Sequence, residues 1–436
     1  MVPLTHVCQY WRNSIISTPD NWTLILSERK DLAALSLERA KAAPLTIYLN
    51  MIKLRNDPGF LDLLLPHHQN IISLSVVRPA TVEELTWALP NLSKSMPNLR
   101  SLTIWGPGEA DWNQHIDPLD FSAAHALKDL TLHNIPLYPS ILNLGTLTEL
   151  SLAYNRFDFH LDTLLDFLEQ NYLLESAKLC IGFAQPSLRH SQRQTPVGNR
   201  LLHLSIICAE AADGRALISN IALQRGATLE IHYDHPKETL TTMLSGVSMT
   251  HLRNLSSPTL MEYQTYRRTI RLVGPDGSFL YGNTYSLEDT FPEFPLLPLD
   301  NIREIRLKCD NPWVPEELHR LTFPSLEVLV ISSTGSRHLD TTLFPDSISL
   351  SLKTLAFLNC NITESFMAAL TWFASRREKH TSASLRRVVI VCSLNYQLPS
   401  EASIAKLRRH VPVVEVIEGR ELPKDLSWGG SSSLPG

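Results

Sequence analysis

Imidazoles, thiols and carboxylates are the side chains from which active sites are built, and the sequence has 16 histidines, six cysteines and 44 acidic residues among 436. What it lacks is the spacing that turns them into chemistry. Nucleophilic catalysis presents its nucleophile on a sharp turn beside a base, phosphate chemistry needs a glycine-rich cradle of N–H groups, and a catalytic zinc needs histidines one helical turn apart. The corresponding patterns G-x-S-x-G, G-x-x-x-x-G-K-[ST], G-x-G-x-x-G and H-E-x-x-H are all absent. Gly106-Pro107-Gly108 is too short to cradle a phosphate and reads as the end of a strand. The adjacent His67 and His68 read as an exposed, unpaired loop ahead of a strand, with metal binding as the lesser alternative. Cys8, Cys180, Cys208, Cys309, Cys360 and Cys392 are scattered, without C-x-x-C or a histidine pair at zinc spacing, and read as reduced, space-filling thiols. Arg376, Arg377 and Lys379, like Arg408 and Arg409, fall near helix ends, where cations suit the dipole and a solvated face is the simplest account. No catalytic residue, cofactor or metal is therefore expected.

Composition narrows the partners. Hydrophobic residues make up 44% and charged residues 19%, an ordinary globular balance. A net charge of -5 argues against nucleic acid, whose phosphates call for a surplus of Lys and Arg on one face. No apolar run is long enough to cross a membrane. The N-terminus, interrupted by His6, Gln9, Arg12 and Asn13, lacks a secretory profile, so a cytoplasmic or nuclear protein is expected.

The elements that must position any site come from an internal repeat. "LTELSLAYN", from Leu147, fits the leucine-rich-repeat pattern L-x-x-L-x-L-x-x-N at every position. Looser copies begin at Ile71, Leu99, Leu127, Leu174 and Leu201, and again at Thr228, Ile302, Leu326, Leu352 and Leu385. In each copy the L-x-L core reads as a short strand whose alternation sends the leucines inward and the intervening residues to the other face. "TLLDFLEQNYLLESA", after Asp162, and "ESFMAALTWFASRRE", after Thr363, read as capped amphipathic helices between strands. Stacked strand-helix units bury a core that no single unit can bury, so the fold expected is an α/β leucine-rich-repeat solenoid, a horseshoe with strands on its concave side. The rhythm breaks between Asp234 and Ile302, where "TIRLVGPDGSFLYGN" reads as two strands turning at Asp276-Gly277. This is either a hairpin insertion, at about 258–300, or a degenerate repeat with a longer loop.

Alternation also lists the concave face. Ser101, Thr103, Trp105, Asp129, Thr131, His133, Glu149, Ser151 and Ala153 come first, then His203, Ser205, Glu230, His232, Glu304, Arg306 and Lys308. Val328, Val330, Ala356, Leu358, Val389 and Val391 end the series. The expected target-binding residues are Trp105, His133, Glu149, His203, Glu230, His232, Arg306, Lys308, Val330, Leu358 and Val389, with Trp105 as the leading hot spot. The apolar end of the face is expected either to hold a partner or to be covered by the tail around "LPKDLSWGG".

The first residues supply a resemblance. "VCQYWRNSIISTPDNW" has Val7, Cys8, Trp11, Arg12 and Ile15 on a short helix, a stop at Ser17-Thr18-Pro19, and then Trp22. It resembles the closing half of the F-box of mushroom-type fungal F-box proteins with leucine-rich repeats. "SLERAKAAPLTIYLN" and "MPNLRSLTIWG" are similar to that family's linker and repeat. The resemblance implies a partial F-box over residues 1–27, a linker helix over 28–43, a solenoid over 44–420 and a tail over 421–436. The Leu-Pro-x-Glu segment that opens the family's F-box has no counterpart before Val7, so the F-box is expected to be truncated. It further implies a substrate receptor of a Skp/cullin/F-box ubiquitin ligase, holding the Skp adaptor through Val7, Cys8, Trp11, Arg12, Ile15, Pro19 and Trp22 and a target through its repeats. The alternative is a repeat interaction protein without ligase recruitment.

Overall fold

The structure, a computed structural model, describes residues 9–79, 81, 84–85, 87–88, 96–107, 124–135, 144–155, 161–181, 200–208, 210–233, 244, 247, 252, 255–264, 269–283, 299–309, 323–333, 351–379, 384–392, 398–419, 423 and 426. The chain is α/β with a mostly parallel sheet, and it divides into two compact units, residues 1–224 and 225–436.

The first unit begins with helix α1 (Gln9–Ser17), a 3-10 turn at Pro19–Trp22, strand β1 (Leu24–Leu26) and helix α2 (Lys30–Ala40). Strands β2 (Leu45–Asn50), β3 (Ile71–Val77), β4 (Ser101–Trp105), β5 (Asp129–His133), β6 (Glu149–Asn155), β7 (Ser176–Ile181) and β8 (His203–Cys208) follow. Each strand pairs in parallel with the one before it. Helices α3 (Met51–Asn56) and α4 (Phe60–Leu64) lie between β2 and β3, α5 (Leu161–Gln170) between β6 and β7, and α6 (Ala211–Ser219) after β8.

The L-x-x-L-x-L spacing explains this regularity residue by residue. The first leucine closes a turn with its N–H: Leu99 to the Met96 carbonyl, Leu127 to Ala124 and Leu174 to Asn171. The next residue ties the repeat to its predecessor, as Lys128 N–H does to the Arg100 carbonyl, Thr148 to Lys128 and Glu175 to Thr148. Then alternation takes over, and Leu102, Ile104, Leu130, Leu132, Leu150 and Leu152 are all buried. Each such side chain contributes roughly 2 kcal/mol on leaving water, and consecutive repeats share that burial. Helix α5 ends earlier than its sequence suggests, because Asn171 turns its amide back onto the Phe167 carbonyl at 2.8 Å.

The second unit comprises β9 (Ala227–Tyr233), β10 (Leu260–Gln264), β11 (Thr269–Gly274), β12 (Gly277–Asn283), β13 (Glu304–Cys309), β14 (Val328–Ser333), β15 (Thr354–Leu358), β16 (Arg387–Cys392) and β17 (Val413–Glu418), with α7 (Glu364–Lys379) and α8 (Glu401–Leu407). Its strands lie in the order β9-β12-β11-β10-β13-β14-β15-β16-β17. β11 runs antiparallel to both neighbours and every other pairing is parallel. The hairpin read at Asp276-Gly277 is therefore present, but it is laid into the sheet between β9 and β10. Gly277 takes a φ of 135°, which a side chain would disfavour. Asp276 fastens the turn by accepting the hydroxyls of Ser256 at 2.6 Å and Ser257 at 2.7 Å, while its carbonyl accepts the Gly226 N–H.

At α7 the Thr363 hydroxyl accepts the Phe366 N–H, satisfying one of the helix's open donors. Arg377 corrects its reading as part of a solvated basic face. It is buried, donates to the Leu352 carbonyl at 3.3 Å and lies 5.4 Å from the Phe373 ring centre. Burial lowers its pKa from the usual guanidinium value.

Candidate functional site

Strand register places the expected face residues in rows. In the first unit one row runs Leu24, Thr46, Ser73, Ser101, Asp129, Glu149, Ser176, His203, and the next Leu26, Tyr48, Ser75, Thr103, Thr131, Ser151, Lys178, Ser205. Hydroxyls make up half of the first row and most of the second, and apart from Leu24 and Leu26 on β1 the side chains are polar, so most of this face suits water. Above them stands Trp105, 46% exposed at the end of β4, directly opposite His133 on β5. Their ring centres are 4.3 Å apart with planes tilted by 32°. Burial, and then the charge of Lys178, hold the His133 imidazole below its usual value of 6.5, so it is neutral at physiological pH. An aromatic anchor fixed on a strand and backed by a second ring loses little freedom when it docks.

The face of the second unit changes character along its strands. Glu230 and His232 sit on β9, 4.0 Å apart, with Gly282 of β12 leaving room beside the imidazole. Then comes an ionic ladder across three strands. Arg271 donates to Glu262 at 3.2 Å, Arg306 lies 3.9 Å from Glu262, and the Arg306 Nε donates to Glu304 at 2.6 Å. Arg306 and Glu262 are buried, so Arg306 is a structural cation rather than an exposed contact. Lys308, on the next row, pairs in register with Gln264 and Ser332.

Val330, Leu358 and Val389 require a second correction. They are on the expected face, but they are buried in a cluster with Ala356, Val391 and Leu426. Leu426 belongs to the tail, so the covered form of the apolar stretch is the one the chain adopts. The bidentate Arg387–Glu415 pair, at 2.8 and 3.2 Å, links β16 to β17 two rungs away.

The N-terminal stretch is partitioned by burial. Thr18 bonds back to the Ser14 carbonyl at 2.8 Å, ending α1, and Pro19 starts the 3-10 turn that swings Trp22 under it. Trp22 is buried, donates its indole N–H to the Ile15 carbonyl at 2.9 Å and carries the Arg39 guanidinium 4.4 Å above its ring. Ile15 is buried too, whereas Trp11, at 57% exposure, and Tyr10 form an edge-on pair with centres 6.2 Å apart. Arg12 is exposed and Pro19 half-buried; Val7 and Cys8 lie outside the described residues. His67 and His68 sit in a 3-10 turn, half-buried, and His68 is within 2.6 Å of the Leu65 carbonyl, not the exposed, unpaired loop read from sequence. Among the described residues, no group of three or more His, Cys, Asp or Glu could hold a metal, and no helix is long and apolar enough to cross a membrane.

Sequence reasoning missed the ionic ladder, since Glu262 and Arg271 lie where the repeat is interrupted. It also missed the backbone hydrogen bond just ahead of each strand, which Leu202 makes as readily as Lys128 because the N–H donates whatever the side chain. No protein-family model matches the chain, and no curated protein matches it in sequence comparison.

Proposed function

We propose that the chain is a non-catalytic protein-interaction module, a leucine-rich-repeat solenoid that captures a target on the strand face of its first unit. Through α1 it serves as the substrate receptor of a Skp/cullin/F-box ubiquitin ligase in the cytoplasm or nucleus. Such a receptor accelerates transfer by holding the two partners close. The observation that carries the reading is Trp105, a large aromatic exposed on a rigid strand and set against His133 in a hydroxyl-lined face. The ligase link rests on the F-box-like stretch and on the exposed pair Tyr10 and Trp11.

Purified Skp adaptor, titrated onto the chain by biolayer interferometry, tests that link. Saturable binding that falls at least tenfold in Trp11→Ala supports it, and no binding sinks it. A second reading, target capture without ligase recruitment, is favoured by the burial of Ile15 and Trp22, which removes two expected adaptor contacts from the surface. Under that reading the adaptor does not bind, while target capture still depends on Trp105.

A further inference from the structure

The residue just ahead of each strand offers its carbonyl to the next repeat, so these residues form a row along the strand starts. In the second unit the row is Thr259, Arg303, Glu327, Lys353 and Arg386, and the N–H of each of the last four bonds the carbonyl of the one before it at 2.8 Å. Three cations thus share one carboxylate. Lys353 and Glu327 satisfy one another at 2.6 Å. The Lys353 hydrogen bond, then its charge and those of Arg303 and Arg386, outweigh desolvation and hold the Glu327 carboxyl below its usual value of 4.5. On the strand positions alongside, Glu304 is committed to Arg306 at 2.6 Å, and Glu415 of β17 to Arg387 at 2.8 Å. Arg303 and Arg386 are left exposed, and among the described residues neither has an ion-pair partner, in a chain whose net charge is -5. Strands lie about 4.8 Å apart, so these two arginines, three strands apart, stand about 14 Å from one another at the backbone, which an extended peptide spans in about four residues.

We propose that the strand-start row of the second unit is a docking surface for an acidic segment of a partner protein. The segment lies extended across β13 to β16, with carboxylates about four residues apart on Arg303 and Arg386 and a neutral or basic residue opposite Glu327. Each guanidinium offers a planar fork of donors that matches a carboxylate, and the two set the spacing that is accepted. Exposed ion pairs are individually weak, so the row selects and orients a segment that further contacts of the partner help to hold. The proposal rests on the reading of the chain as an interaction module, but it involves neither Trp105 nor α1.

The test uses the full chain and the peptide GSEGSGEGS carrying a benzophenone at its C-terminus, so that light captures weak complexes. At about 20 mM ionic strength, where charges act over about 20 Å, labelling is expected at the starts of β13 to β16. Arg303→Gln with Arg386→Gln should reduce it at least fivefold. Arg100→Gln with Lys128→Gln removes two exposed cations from the corresponding row of the first unit and should change it by less than about twofold. The peptide GSEEGSGGS has the same charge with its glutamates adjacent, and on the unaltered chain it should label at least threefold less. Equal labelling by the two peptides, an equal loss in the two double variants, or no labelling at these strand starts overturns the proposal. Trp105→Ala is expected to leave the labelling unchanged, so failure here leaves the Trp105 and adaptor tests standing, and their failure leaves this one.

Discussion

Thr103, Thr131 and Ser151 in the first unit occupy the same place in the repeat as Val330, Ala356 and Val389 in the second, midway along the strand and opposite the core leucines. The first three are half-buried at a hydroxyl-lined face, and the other three lie completely buried in a cluster with Leu426. The core positions are the same in both units, so at these strands the residue between them decides whether the face is a surface or an interior; Arg306, in register with Val330, is instead buried in its ion pairs. A hydroxyl there is content in water. A valine there needs a cover, and Leu426 is part of it.

Charge placed at the shared position should break the comparison most severely. Val330→Asp buries an unpaired carboxylate and is expected to cost about 4 kcal/mol or more, whereas Thr103→Asp, on the hydroxyl face, should stay within about 1 kcal/mol. Urea denaturation of the two variants reads the difference directly, and similar losses would mean that the faces are alike. A smaller effect separates the regular repeats from the interrupted ones. At Gly274 an added Cβ would stand 2.5 Å from the Ser257 carbonyl oxygen, a backbone atom that cannot step aside. Gly274→Ala should therefore cost about 1–3 kcal/mol, seen as faster hydrogen exchange in β10–β12 with β4–β6 unchanged.

The same interruption should carry an acid-sensitive step. Hydrogen bonds from Ser256 and Ser257, helped by the charge of Arg225, hold the Asp276 carboxyl below its usual value of 3.8. Its folded value thus lies below its unfolded one, so the stabilisation is complete above the ordinary value and is lost as pH falls through the folded value. Asp276→Asn should remove that step, so that protection of β11 and β12 no longer falls as the pH is taken below the ordinary carboxyl value of 3.8. Smallest in stability is Trp105→Ala, expected within about 1 kcal/mol because the ring is half exposed. Its effect belongs to capture, and a purified target that loses no affinity would remove Trp105 from the account.

The repeat could be read from the sequence because L-x-x-L-x-L encodes both the core and its alternation. The rows read from Ser101 to Ala153 agree with the strand register for that reason. Exposure was legible at Thr103, Thr131 and Ser151 but not at Arg306 or Ser205, which are polar and buried. Val330, Leu358 and Val389 were assigned to the right face, but they are buried in a cluster that includes Leu426, distant in sequence. The place of β11 and β12 was illegible for a related reason: a Asp-Gly turn specifies a hairpin but not whether its strands find partners in a sheet. Arg377 shows the limit of charge patterning, since its guanidinium lies over the Phe373 ring and donates to a carbonyl inside.

Site-resolved thiol labelling tests the contrast between the two faces most directly. Thr131→Cys and Ala356→Cys put the same probe at the same repeat position in each unit, and mass spectrometry distinguishes each from the native cysteines. The account predicts that cysteine at 131 reacts with iodoacetamide in the folded chain, slowed no more than about tenfold from an exposed thiol, while cysteine at 356 is protected at least a hundredfold until the chain is unfolded. Equal reactivity at the two positions in the folded chain would contradict it.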